Sequence, residues 1–157
     1  MTAVPPALLA HPTPPHPEEP AARASRRTHR HPIRVYYEDT DAAGIVYHAN
    51  YLKFAERGRT EFLRSLGHSH TSARAESGIA FVVRRCTADF LVPARLDDAL
   101  AVVTSVIAVR GALLTLRQEI RRDDVLVAAI DIDVACIGRE GRAQRLPPLL
   151  RAMLLSK

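Results

Sequence analysis

Glu38-Asp39-Thr40-Asp41-Ala42-Ala43-Gly44-Ile45-Val46-Tyr47-His48-Ala49-Asn50-Tyr51 joins an alternating, strand-like run to the one long amphipathic stretch of the chain. Three carboxylates, a glycine and a histidine fall inside it. A carboxylate there can act as base or nucleophile, and a histidine seven residues later can fold back beside it. The backbone N–H groups that open the following helix lack intrahelical acceptors and point at whatever lies before them. Carboxylate, imidazole and converging amides are the equipment of an acyl-transfer site.

Working outward, residues 33–38 alternate as a first strand ending at this acidic loop. Residues 50–66 read as the long helix, with Asn50 or Ala49 near its start and Gly67 as the C′ residue. Tyr51, Ala55, Gly58, Phe62 and Leu66 share one face at spacings of three and four, opposite Lys53, Arg57, Glu61 and Arg64. Gly58 in mid-helix costs about 1 kcal/mol relative to Ala. On the buried face that cost is tolerable where the helix must lie unusually close to a sheet.

A short polar segment follows, then four strand-like runs over 79–91, 99–109, 112–121 and 125–137, turning at Arg110-Gly111 and Asp123-Asp124. The last two alternate clearly, Leu114, Leu116 and Ile120 in one and Ile130, Ile132, Val134 and Cys136 in the other. After Pro147-Pro148 a helical turn or two is expected through Leu155. One strand, one long helix and four strands in hairpins predict a two-layer α+β domain with the helix against the sheet. One helix cannot cover five strands, so a homo-oligomer is expected, through a sheet edge or the helix.

Eight of the 11 prolines lie at or before Pro32, among Ala, His, Arg and Glu with almost no apolar periodicity. Residues 1–30 are therefore expected to be a disordered tail and 31–157 the domain. No basic region precedes Ala7-Leu8-Leu9-Ala10, and that run is too short for an export signal. The other apolar runs are strand-length, so no membrane span is expected, and the cytoplasm is the default location. Cys86 and Cys136, without a CxxC, indicate neither a disulfide framework nor a cysteine metal site; two buried thiols are expected. The net charge is +5; four arginines against two glutamates put +2 of it in the tail. The remaining +3 suits an anionic small ligand or an acidic partner, and no aromatic residues accompany Arg23–Arg34 to stack nucleic-acid bases.

The signature from Val35 to Tyr51, Glu56-Arg57-Gly58-Arg59-Thr60-Glu61 on the helix, Phe81-Val82-Val83-Arg84 and Pro93-Ala94-Arg95-Leu96-Asp97-Asp98 together resemble the YbgC-type (Tol-Pal-associated) acyl-CoA thioesterases of the 4-hydroxybenzoyl-CoA thioesterase-like hotdog family. The resemblance covers about Ile33 to Val134. It implies a hotdog fold, with one long helix wrapped by a five-stranded antiparallel sheet. It also implies a homo-oligomer, dimer or tetramer, that binds acyl-CoA at a subunit interface and needs neither metal nor organic cofactor. The second Asp of the family's Asp-x-Asp pair is catalytic and maps to Asp41; the histidine of Tyr-His-Ala-Asn maps to His48. Ala43, where many relatives have Gly, and the proline-rich tail depart from the pattern.

On this reading Asp41 either attacks the thioester carbonyl to give a mixed anhydride or activates a water, and the sequence leaves both routes open. The oxyanion donors are expected among the amides of Val46, Tyr47 and His48, with Gly44 letting the loop turn sharply. His48 orients substrate, polarises the carbonyl or relays a proton. Asp39 and Asp41 also admit a bland reading as Asx-turn and capping residues, which suits Asp39 better. Glu56 is expected to pair with Arg59 or Arg57. Tyr47 is expected in a pocket wall and Tyr51 in the core, with His68 and His70 in a loop. Hydrolysis of acyl-CoA is the leading function; an acyl-carrier-protein thioesterase and a non-catalytic acyl-binding or envelope-associated module are the alternatives.

Overall fold

A computed structural model describes residues 27–156; the expected tail up to residue 26, and residue 157, lie outside the described residues. One antiparallel sheet holds β1 (Thr28–Arg34), β2 (Ala80–Phe90), β3 (Ala99–Arg110), β4 (Leu113–Arg122) and β5 (Val125–Ile137), in the spatial order β1-β3-β4-β5-β2. The long helix α1 (His48–Ser65) packs against the sheet, with short helices α2 (His70–Glu76) and α3 (Pro148–Leu155) nearby. This is the α+β, hotdog arrangement expected from the order of elements. Both hairpin turns fall where Gly111 and Asp123 adopt positive φ.

The first strand is earlier than the alternation over 33–38 suggests. Pairing with β3 runs from Thr28↔Ser105 to Arg34↔Ala99, and β1 is an edge strand, so Pro32 costs no ladder bond. Residues 37–39 instead make a single 3₁₀ turn, because the Asp39 carboxylate accepts the Tyr36 N–H at 2.9 Å and ends the extended run. The start of α1 also moves, to His48. Asn50 is no cap: it is buried, and its Nδ2 donates to the Asp39 carbonyl at 3.0 Å. At the other end Gly67, at φ +77°, closes a Schellman motif, with His68 N–H on the Leu63 carbonyl and Gly67 N–H on that of Arg64. The polar segment beyond it is helix α2 rather than loop, opened by reciprocal Ser69–Ser72 bonds of 2.9 and 3.0 Å. Of its seven residues only Ala73 is buried, so apolar periodicity gave no sign of it.

The buried face of α1 is the one its spacing predicts, widened by Phe54 and Leu63. A Cβ on Gly58 would lie 2.6 Å from Val102 Cγ1 on β3, so the glycine is what lets helix and sheet come this close. Beside it Gln118, on the core face of β4, is completely buried. Its Nε2 donates to the Ala55 carbonyl at 2.8 Å and to Thr104 Oγ1 at 2.9 Å, and its Oε1 accepts from Arg59 at 2.7 Å. The helix is thus tied to the sheet by a satisfied polar network inside an apolar layer.

β2 is the other edge strand, and residues 82–87 are exposed along it. Cys86 is among them, so the expectation of two buried thiols holds for Cys136 alone; among the described residues no strand lies beyond this edge to cover Cys86. Burial pushes the Cys136 thiol pKa up. Among the described residues no helix is long and apolar enough to cross a membrane, and no group of three or more His, Cys, Asp or Glu is placed to hold a metal ion.

Candidate active site

Asp41 stands at the head of a tight loop between the 3₁₀ turn and α1. Its N–H donates to the Ile45 carbonyl and its carbonyl accepts the Gly44 N–H, both at 2.9 Å, while Thr40 and Val46 form one antiparallel bridge at the base. Gly44 sits at φ +73°, a conformation that lacks penalty only without a side chain. Asp41 Oδ1 accepts the Ala43 N–H at 2.8 Å. The Asx turn of the bland reading is therefore made, and it occupies one oxygen only. Oδ2 has no hydrogen-bond partner among the described residues, and the residue is exposed.

Asp39 is different in kind. It is buried, its carboxylate is spent on Tyr36 N–H, and its carbonyl accepts from both Asn50 Nδ2 and Tyr47 N–H. It fixes where α1 begins.

The expected amide donors need correcting. The Val46 N–H donates to the Ala94 carbonyl at 2.8 Å and the Tyr47 N–H to the Asp39 carbonyl at 2.9 Å, so neither is free for an oxyanion. The geometry that closes the loop uses both. His48 and Ala49 open α1; their N–H groups have no acceptor within the helix and, among the described residues, no backbone acceptor elsewhere and no side-chain cap. Ala49 was not singled out from sequence, because the helix start was placed two residues late.

The His48 side chain is exposed. Its ring lies 4.5 Å from that of Tyr47 and 6.1 Å, edge-on, from that of Phe90 at the end of β2. Tyr47 is half exposed, whereas Tyr51 is core: its hydroxyl accepts the Ala94 N–H at 3.0 Å, and burial raises its pKa. Phe90, 5.5 Å from the Tyr51 ring, completes an aromatic wall that sequence spacing could not reveal. Among the described residues the Asp41 carboxylate and the His48 imidazole form neither an ion pair nor a hydrogen bond with each other.

A second group of polar side chains lies further along α1. The ion pair expected between Glu56 and Arg57 or Arg59 is not made among the described residues; Glu56 instead accepts from Thr60 Oγ1 at 2.7 Å. Arg59 turns inward to Gln118, and burial lowers its pKa, opposed by the Glu56 charge. Thr60 Oγ1 is also 3.2 Å from His70 Nε2, which is possible only because α2 exists. These residues rim a cavity of about 190 Å³ that Asp41 does not line.

The sequence matches the family model described as Thioesterase superfamily over residues 43–129. It is 46% identical over 106 residues to the acyl-CoA thioesterase YbgC of Haemophilus influenzae, covering 68% of this chain and 78% of that protein. The acyl-CoA thioester hydrolase YbgC of Escherichia coli O157:H7 is 46% identical over 109 residues, 69% of this chain and 81% of the relative. Among solved structures, a probable thioesterase from Bartonella henselae superposes with a TM-score of 0.74 at 39% identity, covering 77% of this chain and all of that one. The chain belongs to the thioesterase superfamily. It is a thioester hydrolase, with the helix and five-stranded sheet of that family.

Proposed function

We propose that this protein hydrolyses the thioester of an acyl-CoA, releasing CoA and a free carboxylic acid, with Asp41 as the catalytic carboxylate. One observation carries the assignment of the residue: the loop spends Oδ1 on Ala43 and leaves Oδ2 open, immediately ahead of an uncapped helix N-terminus. The relatives' activity supports the substrate class. A thioester carbonyl set between Oδ2 and the first turn of α1 places its oxygen on the His48 and Ala49 amides. One such donor is typically worth about 3–4 kcal/mol of transition-state stabilisation. Attack by Oδ2 expels the CoA thiolate and leaves a mixed anhydride that water cleaves; alternatively Oδ2 takes a proton from the attacking water. Both routes use the same open oxygen. The exposed His48 imidazole supplies the proton for the departing thiolate.

In one subunit this site is open to solvent, and a second copy closes it in the proposal. Along the outer edge of β2 residues 82–87 are exposed, Val82 and Val83 by 40% and 52%. Such an edge is a template for another strand. A dimer through β2 would carry Phe90, and with it the aromatic wall, to the interface. The domain begins earlier than the expected boundary at residue 31, since Thr28, His29 and Arg30 belong to β1.

The test is release of free CoA thiol from a panel of acyl-CoAs, short, long and aromatic, beside the same acyl groups on an acyl carrier protein. Turnover of one or more acyl-CoAs is expected. Cleavage confined to the carrier-bound thioesters would replace the substrate class, and no thiol release from either set would refute the assignment.

A further inference from the structure

Two phenylalanines mark the ends of β2, and each carries a histidine. Phe90 meets the His48 ring edge-on at 6.1 Å, and Phe81 meets the His70 ring edge-on at 6.3 Å. The two lie nine positions apart on the strand, about 30 Å, so within one subunit His70 is remote from Asp41. An odd separation would put the two rings on opposite faces of the sheet. The register shift between Val83 and Arg85 restores the phase: Phe81 stands opposite Cys136 and Phe90 opposite Ala128, both in the core that α1 covers. The tautomer of His70 follows from its neighbours. An ionised carboxylate only accepts, so Thr60 donates its hydroxyl proton to Glu56 at 2.7 Å, and Thr60 Oγ1 then accepts from His70 Nε2 at 3.2 Å. Nδ1 is left as the unprotonated nitrogen of an exposed side chain, with no partner among the described residues. An imidazole anchored through a hydroxyl to a carboxylate, with its other nitrogen open, is equipped as a general base whose protonated form that carboxylate stabilises.

We propose that His70 is a second catalytic base of this enzyme, that it serves the Asp41 of a partner subunit, and that Thr60 and Glu56 position it. The proposal rests on the acyl-CoA reading above and takes its anhydride route. β2 is the edge suited to a second copy. Val82, Val83, Phe90 and Leu91 at and just beyond it are between 40% and 52% exposed, whereas β1, the other edge, has seven residues and is interrupted by Pro32. A two-fold axis that extends the sheet and keeps both long helices on one face pairs the two β2 strands antiparallel. The Phe81 end of each then lies along the Phe90 end of the other, and directly opposed residues of antiparallel strands share a face. His70 of one subunit thus stands over the same gap as Asp41 and His48 of the other. In the second step a water oxygen bonds to the acyl carbon of the mixed anhydride and one water proton passes to Nδ1 of the partner's His70. The bond from that carbon to the Asp41 oxygen breaks, its electron pair returning to the Asp41 carboxylate. The carboxylic acid leaves, and the imidazolium gives its proton to solvent.

Release of CoA thiol is followed for wild type, His70→Ala, Asp41→Asn, and dimers co-expressed from the two variants under different tags. His70→Ala is expected to lower steady turnover about 100-fold and to keep an initial burst of about one CoA per subunit, because only the second step is lost. In a mixed dimer one site lacks both groups and the other has both, so random assembly should restore about one quarter of wild-type turnover. Thr60→Val should lower kcat with KM little changed, and Thr60→Ser, which keeps the hydroxyl, should recover it. His70→Gln takes the place of His70→Ala if unfolding curves show that the latter has lost its fold. Undiminished turnover in the folded His70 variant, a loss without a burst, or mixtures no more active than the separate variants overturns the proposal. Such a result with acyl-CoA still cleaved by wild type leaves the thioesterase reading intact, whereas no cleavage by wild type overturns the reading on which the proposal rests.

Discussion

Gly58→Ala measures how closely α1 must approach the sheet. In an exposed helix the change gains about 1 kcal/mol, because alanine holds helical dihedrals at less entropic cost. Here the new Cβ meets Val102 Cγ1 at 2.6 Å and Val102 Cβ at 3.0 Å. Val102 is fully buried and β-branched, so it cannot swing aside to another rotamer cheaply. The new methyl also comes within 3.5 Å of Gln118 Nε2, whose bonds to Ala55 and Thr104 hold helix to sheet. Overpacking of this kind costs about 1–3 kcal/mol. The contact is short enough to place Gly58→Ala at the upper end, and the propensity gain offsets part of it. A net loss of about 1–2 kcal/mol is expected. Urea unfolding of both single variants and the double variant gives the coupling directly. In the Val102→Ala background the clash is gone, and Gly58→Ala should be neutral or stabilising by up to about 1 kcal/mol. A Gly58→Ala protein as stable as wild type in the Val102 background would refute the argument from close approach.

Other expectations follow from single contacts. His48→Ala should lower kcat/KM by about 10- to 100-fold, at or below the low end of general acid–base contributions, and steady-state thiol release with an unchanged rate would reduce His48 to a packing role. Asp98 is held below the usual carboxylate range. Burial acts against its charge, but the Arg95 N–H at 2.8 Å and the Arg122 guanidinium at 2.7 Å outweigh that. Its folded pKa being depressed, its contribution is present above the unfolded value of about 3.8 and is lost as pH falls through the lower folded value. Acid unfolding of Asp98→Asn should therefore show a shallower loss of stability below that pH than wild type, and identical profiles would show that the pair does not couple to folding.

Local chemistry made much of this structure legible. The face of α1, its C′ glycine, the four hairpin strands and both turns follow from periods of 3.6 and 2 and from residues that tolerate positive φ. What failed depended on individual hydrogen bonds, near or far in sequence, that no hydrophobic period records. Alternation over 33–38 suggested a strand, yet Asp39 turns the chain there because its carboxylate reaches back to Tyr36. Asn50 resembled a cap, yet its amide is needed by the Asp39 carbonyl. The amides of Val46 and Tyr47 looked available, yet Ala94, far along the chain, takes one of them. Gln118 interrupts an otherwise apolar row, and only the helix carbonyl above it explains why. At the candidate site, Asp41, Gly44 and His48 were visible as residue types at a fixed spacing. Phe90 and the Glu56–Thr60–His70 chain were not, since each joins elements whose packing no local pattern encodes.

The claim beneath the whole account is that the free oxygen of Asp41 carries the hydrolysis. Asp41→Asn keeps the size of the side chain and an oxygen able to accept the Ala43 N–H, so the loop should survive. Its kcat/KM on the best acyl-CoA substrate, measured on protein with wild-type unfolding behaviour, should fall by about 10³-fold or more, as loss of a nucleophile or of an essential base requires. A fall of less than tenfold in the folded variant would contradict the account and send the search for the reacting group elsewhere on the molecule.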